Sequence, residues 1–208
     1  MEVLEAIRTR RSIRKYKQTP VPMEDIRLIV EAATWAPSGY NQQPWKFIVL
    51  QNQQIKVRMV EEVQKKLVEI SKWPGTEAKQ DWLRSLPPGY TVFKEAPVTI
   101  AVLNREYAGP IDKIIHKQNF SFEERYQLRA VPWLQSVATA IQNMLLAATS
   151  LGYGSCYNTG CLIAREGIQK VLGIEPPWML IALVPIGIPA HHPRAPKRKP
   201  LETVMEVR

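Results

Sequence analysis

The chain has 208 residues, 45% of them apolar and 23% charged, with a net charge of +9. This ordinary globular usage excludes a disordered or fibrous chain, and no run approaches the roughly 20 apolar residues of a membrane span. Two cysteines, Cys156 and Cys161, exclude a disulfide framework, and with three histidines no spacing matches a zinc site, so no metal is expected.

In chain order, Met1-Glu2-Val3-Leu4-Glu5 is acidic and lacks the basic and apolar regions of a signal peptide, which makes a cytoplasmic, reduced protein the expectation. Val3, Leu4 and Ile7 stand at helical spacing, and Arg8, Arg10 and Arg11 suit the negative end of that helix. Ser12 to Lys17 is expected to extend, with Arg10, Ser12 and Arg14 on one side and Arg11 and Ile13 on the other. Pro22, Glu24 and Asp25 open a second helix with the stripe Ile26, Ile29, Val30 and Ala33, stopping before Pro37. The amide-rich loop Pro37-Ser38-Gly39-Tyr40-Asn41-Gln42-Gln43-Pro44 then runs into a strand, Trp45 to Leu50.

Ile55 to Ile70 reads as a third helix and Pro97 to Leu103 as a buried strand. Residues 71–95 and 104–132 show no clear pattern, and long irregular stretches of this kind are commonly lids or binding loops. Trp133 to Leu151 is apolar around most of its circumference, so this helix must be buried in a core or against a partner chain, and Gly152 ends it. A Gly-rich turn from Gly152 to Gly160, a short helix through Ile168 to Leu172 and a strand from Trp178 to Ile186 follow. The tail from residue 189 to 208 carries Pro189, Pro193, Pro196 and Pro200, and should lie extended over a surface. Helices and strands interleave too irregularly for a doubly wound sheet, so the expected class is α+β in one unit spanning 1–208.

The positive charge sits near the two ends, in Arg8, Arg10, Arg11, Arg14, Lys15 and Lys17 and again in Arg194, Lys197, Arg198 and Lys199. A nucleic-acid binder would use such clusters on a phosphate backbone, but it would also interleave aromatics for stacking, and only Tyr16 is present. Phosphate cradles of the G-x-G-x-x-G and P-loop types are missing, as are a nucleophile elbow and an H-E-x-x-H pair, which disfavours a hydrolase. What remains suits a bound flavin phosphate: arginine forks for phosphate oxygens, Ser12 as a further donor, side-chain amides for the ring edge, and backbone N–H groups of the Gly-rich turn near flavin N5. Bland alternatives stay open, with Arg10 and Arg11 capping a helix, Arg14 in a surface ion pair and Asn41 shaping a turn. Cys156 and Cys161 read as small buried apolar groups.

Arg10-Arg11-Ser12-Ile13-Arg14, then Pro37-Ser38-x-x-Asn41-x-Gln43-Pro44-Trp45, then Gly152-Tyr153-Gly154-Ser155-Cys156 and Arg198-Lys199-Pro200-Leu201-Glu202 together resemble the nitroreductase family in order and spacing. The resemblance implies a central, mostly antiparallel sheet surrounded by helices, in an intertwined homodimer with flavin mononucleotide (FMN) at the interface. It further implies that Arg10, Arg11, Ser12, Arg14 and Arg198 hold the phosphate and ribityl end, that Pro37, Ser38, Gly39 and Asn41 approach from the other subunit, and that the Thr159–Gly160 backbone faces N5. No side chain is expected to be catalytic, the flavin carrying hydride from NADH or NADPH to a nitroaromatic, a quinone or a similar small acceptor in a ping-pong cycle. Dehalogenation or dehydrogenation by the same flavin, a flavin binder without electron transfer, and a basic nucleic-acid-binding module are the alternatives.

Overall fold

The structure, a computed structural model, describes residues 1–208. In chain order it comprises α1 (Val3–Thr9), α2 (Met23–Thr34), β1 (Trp45–Leu50), α3 (Gln53–Ile70), α4 (Gln80–Arg84), β2 (Val98–Asn104), α5 (Pro110–Ile115), α6 (Phe122–Arg129), α7 (Pro132–Ser150), β3 (Gly154–Ser155), α8 (Arg165–Leu172) and β4 (Met179–Gly187). The four strands form one antiparallel sheet in the order β1-β2-β4-β3. The α+β class and the antiparallel sheet are as the sequence implies. No helix is long and apolar enough to cross a membrane.

Helices cover both faces of the sheet, which is why β2 and β4 read as continuous apolar runs rather than alternating ones. Val98, Ile100 and Val102 of β2 point toward α2 and α7, where they meet Ile26, Ile29, Ile141 and Met144. Ala101 and Leu103 point the other way, toward Met59, Val63 and Leu67 of α3 and Ile168 of α8. In β4 the alternation breaks once, since Val102 pairs with Ala182 but Leu103 pairs with Leu180. Ile181 is the extra residue of a bulge, and it turns to the α7 face beside Ala182.

Helix α7 buries Val137, Ala140, Ile141, Met144, Leu145 and Ala148, so its broad apolar coverage is met by the sheet and α2 of the same chain. At α1 the outcome differs from the expected stripe. Ala6 is the buried residue, while Val3 and Leu4 are 67% and 63% exposed and Ile7 is exposed as well. Met1, Val3 and Ala6 border an apolar groove with Trp35, Leu146 and Ala147 that nothing in the chain covers.

The chain ends meet along one edge of the sheet. Ile13 N–H donates to Ser155 O at 2.9 Å, placing Ser12 in a parallel bridge with β3. Lys17 N–H donates to Ile188 O at 2.9 Å and Ala190 N–H to Lys15 O at 3.0 Å. These backbone bonds carry the first arginine cluster and the C-terminal tail off the same edge. Beyond the bridge at Pro189 the tail has no helix or strand apart from a single turn at Leu201–Thr203, and residues 197–208 are all exposed.

Candidate functional site: an arginine cleft at the joined chain ends

Arg10, Arg11, Ser12 and Arg14 converge with Pro193, Arg194, Pro196 and Arg198 on a cleft of about 340 Å³. Four of the sequence-predicted residues and the predicted Arg198 therefore come together. Arg194 joins them without having been singled out as a site residue. Only the chain reversal at Lys15 and Ala190 brings it there, and no local motif marks it.

None of these five arginines forms a salt bridge. Five guanidinium groups around a cleft without a carboxylate are suited to an anion, because charge-assisted bonds to arginine forks are short and strong. Arg11 also does the bland work that the sequence allows. Its guanidinium donates to Arg8 O at 2.7 Å and to Arg10 O at 2.8 Å, capping the carbonyl end of α1. This fold-back, with extended pairing starting only at Ser12, puts Arg11 on the same side as its neighbours rather than opposite them. Ile13 alone turns inward, at 3% exposure. Arg14 has no carboxylate near enough for the ion pair considered above, and its one hydrogen bond is donated to Ser12 O at 3.5 Å.

Next to this cluster lies the segment from Gly154 to Gly160. Gly154 has no room for a side chain, since a Cβ there would lie 2.9 Å from Ile13 Cβ and from Pro189 Cγ. Asn158 exchanges backbone bonds with Leu183 at 3.0 Å, and its side-chain amide donates to Gly89 O at 2.8 Å. Gly160 then packs against the Gly89–Tyr90 backbone, where a Cβ would stand 3.2 Å from Gly89 O. Two buried polar atoms here, Ser155 Oγ and Asn158 Oδ1, have no hydrogen-bond partner. Cys156 and Cys161 are both free and buried. Burial pushes the Cys156 thiol up, against the opposing pull of Arg14, Ser12 and Arg10, and it pushes Cys161 up to about 12, so neither is a thiolate near neutral pH.

The loop with Pro37, Ser38, Gly39 and Asn41 stands apart, and no hydrogen bond joins it to the arginine cleft of its own chain. It is shaped internally: Asn41 N–H donates to Ser38 O at 3.0 Å and Gln43 N–H to Ser38 Oγ at 3.0 Å. Asn41 also accepts from the Gln43 side chain at 3.3 Å and adopts φ 51°, so its turn-forming role is real. Tyr40, at φ 54°, packs its ring onto Gly109, and Tyr107 packs onto Gly39, so each glycine is the slot for the other segment's tyrosine.

That interlock ties the loop to residues 105–131, which the sequence left unpatterned and which contain α5 and α6. A signal for α6 is present in the sequence: Ser121-x-x-Glu124 forms a capping box, with Ser121 N–H donating to Glu124 at 2.7 Å and Glu124 N–H to Ser121 Oγ at 3.3 Å. Buried Asp112 of α5 accepts from Gly109 N–H at 2.9 Å and pairs with Arg129 of α6 at 2.5 Å. Burial alone would raise the Asp112 pKa, but the bonds from Arg129 and Gly109 outweigh it and hold the group below its ordinary range. A carboxyl depressed in the folded state stabilises fully above its unfolded pKa of about 3.9 and loses that contribution as pH falls through the lower folded value. Protection factors of amides 110–129 are therefore expected to fall in acid, below the ordinary carboxylate range, before those of β2 and β4 do. Hydrogen exchange followed across that range checks this, and uniform protection throughout would contradict it.

A helix-covered antiparallel sheet whose chain ends close on a carboxylate-free arginine cleft defines an α+β protein with a cationic cleft at its joined termini. The chain belongs to the nitroreductase family, whose sequence profile matches residues 7–188. It is 33% identical over 198 residues to a Methanothermobacter thermautotrophicus protein that carries the provisional name NADH dehydrogenase/NAD(P)H nitroreductase, covering 93% of this chain and 80% of that protein. Among solved structures it is similar to a BluB-like flavoprotein from Clostridium difficile 630, with a TM-score of 0.88 at 30% identity, covering 100% of this chain and 99% of the other. A protein provisionally named a nitroreductase, in complex with FMN, from Desulfovibrio desulfuricans is similar with a TM-score of 0.66 at 26% identity, covering 100% and 98%.

Proposed function

We propose that the chain is an FMN-dependent oxidoreductase that takes hydride from NAD(P)H and reduces a small acceptor such as a nitroaromatic or a quinone. The observation that carries this reading is the arginine cleft, where both chain ends deliver guanidinium groups without carboxylate partners. In it, Arg10, Arg11, Ser12, Arg14 and Arg198 hold the phosphate and ribityl end of the cofactor. Ser155 Oγ and Asn158 Oδ1, buried without partners on the adjoining segment, support a polar ligand there. The Thr159–Gly160 backbone faces the ring, in a stretch that Gly160 fixes by packing against the Gly89–Tyr90 backbone. When bound, FMN supplies two-electron chemistry, and the protein's part is to bind it, orient it and tune it.

Pro37, Ser38, Gly39 and Asn41 serve the site of a second copy, since nothing bonds that loop to the cleft of its own chain. A homodimer is supported by the uncovered apolar surface of α1, by Trp35 at 80% exposure and by the exposed Leu201, Val204, Met205 and Val207 of the tail. Residues 1–208 act as one FMN-binding unit, with 71–95 and 104–132 shaping the acceptor pocket.

The test is direct. Purified protein is expected to be yellow, to keep oxidised-flavin absorbance bands through desalting, and to bleach anaerobically with NADH or NADPH. Correctly folded, colourless protein that takes up no added FMN would end this reading, and salt-sensitive binding to DNA or RNA without a chromophore would favour the basic-module alternative.

A further inference from the structure

The cleft holds more positive charge than one flavin phosphate requires. A phosphomonoester carries about −1.5 to −2 near neutral pH and presents three terminal oxygens. Against it stand Arg10, Arg11, Arg14, Arg194 and Arg198, five charges on a cleft of about 340 Å³ with no carboxylate in its lining. On the cofactor reading above, about three positive charges remain over once the flavin phosphate is seated.

The surplus does not end at the cleft. Arg10 and Arg11 also line an adjoining cleft of about 200 Å³, which His192 borders from the tail. The hydroxyl groups around this second cleft are already committed. Thr9 donates to Glu5 O at 2.8 Å, Thr149 to Leu145 O at 2.9 Å and Tyr153 to Asp25 at 2.5 Å. Asp25 is thereby engaged by Tyr153, and the donors left for a ligand are the guanidinium groups and the His192 imidazole. Through Arg10 and Arg11 the two clefts form one cationic surface beside the proposed cofactor site, open to a second phosphate-bearing molecule.

We propose that this surplus selects the electron donor: the enzyme prefers NADPH to NADH, because the 2′-phosphate adds about two negative charges that the clefts can bind, and Arg194 is the residue that sets the preference. Arg194 reaches the cleft from the C-terminal tail and is the one lining arginine not assigned to the cofactor above. The inference rests on the flavin reading but is tested separately from it.

Two measurements on the FMN-loaded protein decide it. At low ionic strength, kcat/KM for NADPH is expected to exceed that for NADH by roughly tenfold or more. The ratio should shrink as added salt shortens the screening length from ~10 Å at 0.1 M to ~3 Å at 1 M. By calorimetry, 2′,5′-ADP is expected to bind at least about tenfold tighter than 5′-AMP, which lacks the 2′-phosphate, a margin appropriate to one charge-assisted contact. Arg194→Gln should remove most of both differences while the flavin absorbance per protein stays as in the parent. Equal use of the two donors, equal binding of the two nucleotides, or an unchanged preference in R194Q would each overturn the assignment with FMN still bound. Absence of FMN would instead defeat the cofactor reading itself.

Discussion

Arg14→Ala is expected to weaken FMN binding by roughly tenfold to a hundredfold, the loss of one charge-assisted contact of about 1.5–3 kcal/mol. Arg14 is a clean probe because its guanidinium has a single long hydrogen bond within the chain, 3.5 Å to Ser12 O, and no ion-pair partner. Removing it leaves no buried carboxylate stranded. Thermal stability without flavin should therefore stay close to that of the parent, surface changes of this kind falling within about 0.5 kcal/mol. Fluorescence quenching on titration of FMN into apoprotein measures the effect, and an unchanged dissociation constant would remove Arg14 from the phosphate site.

Gly39→Ala tests the loop proposed to serve the second copy's site, through a specific clash and its relief. A Cβ at Gly39 would meet the Tyr107 hydroxyl at van der Waals overlap and Tyr107 Cζ at 3.1 Å. The tyrosine cannot swing clear, being 6% exposed and packed edge-on to Trp133 with ring centroids 6.3 Å apart. Overpacking of this kind costs about 1–3 kcal/mol, and the strain falls on the loop with Ser38 and Asn41. FMN affinity is expected to fall about tenfold, in proportion to that cost. Tyr107→Phe removes the clashing oxygen, so the G39A/Y107F double variant should regain most of the loss. A double variant no better than G39A, or G39A with parental affinity, would show that this contact does not position the loop.

The parts of the fold legible in the sequence are those where one physical pattern dominates. Trp45 to Leu50 follows a run of turn formers and is the observed β1, while the apolar runs of β2 and β4 and the broad apolar girth of α7 were recognisable from periodicity or its absence. β3 was not legible, because Gly154 and Ser155 look like a turn and become a strand only through pairing with Gly187 and Ile186 across the chain. α5 and α6 escaped because they are short and largely exposed, with little apolar stripe to detect, although the Ser121 capping box was present to be read. The same division runs through the candidate site. Arg10, Ser12 and Arg14 belong to a motif, whereas Arg194 is a single cation in a Pro-rich tail, and its place depends on tertiary pairing that no local pattern encodes.

The pairing of Ser12–Lys17 with residues 155 and 188–190 has a consequence for how the molecule loses its ligand. Under the proposed assignment, Arg14 and Arg198 grip one small molecule from opposite extremities of the polypeptide, so the coenzyme acts as a reversible staple that closes nearly the whole chain into a ring. Because a ligand confined to the native state stabilises it by about 2.7 kcal/mol at a hundred times its dissociation constant, unstapling and fraying of both termini become one coupled event rather than two.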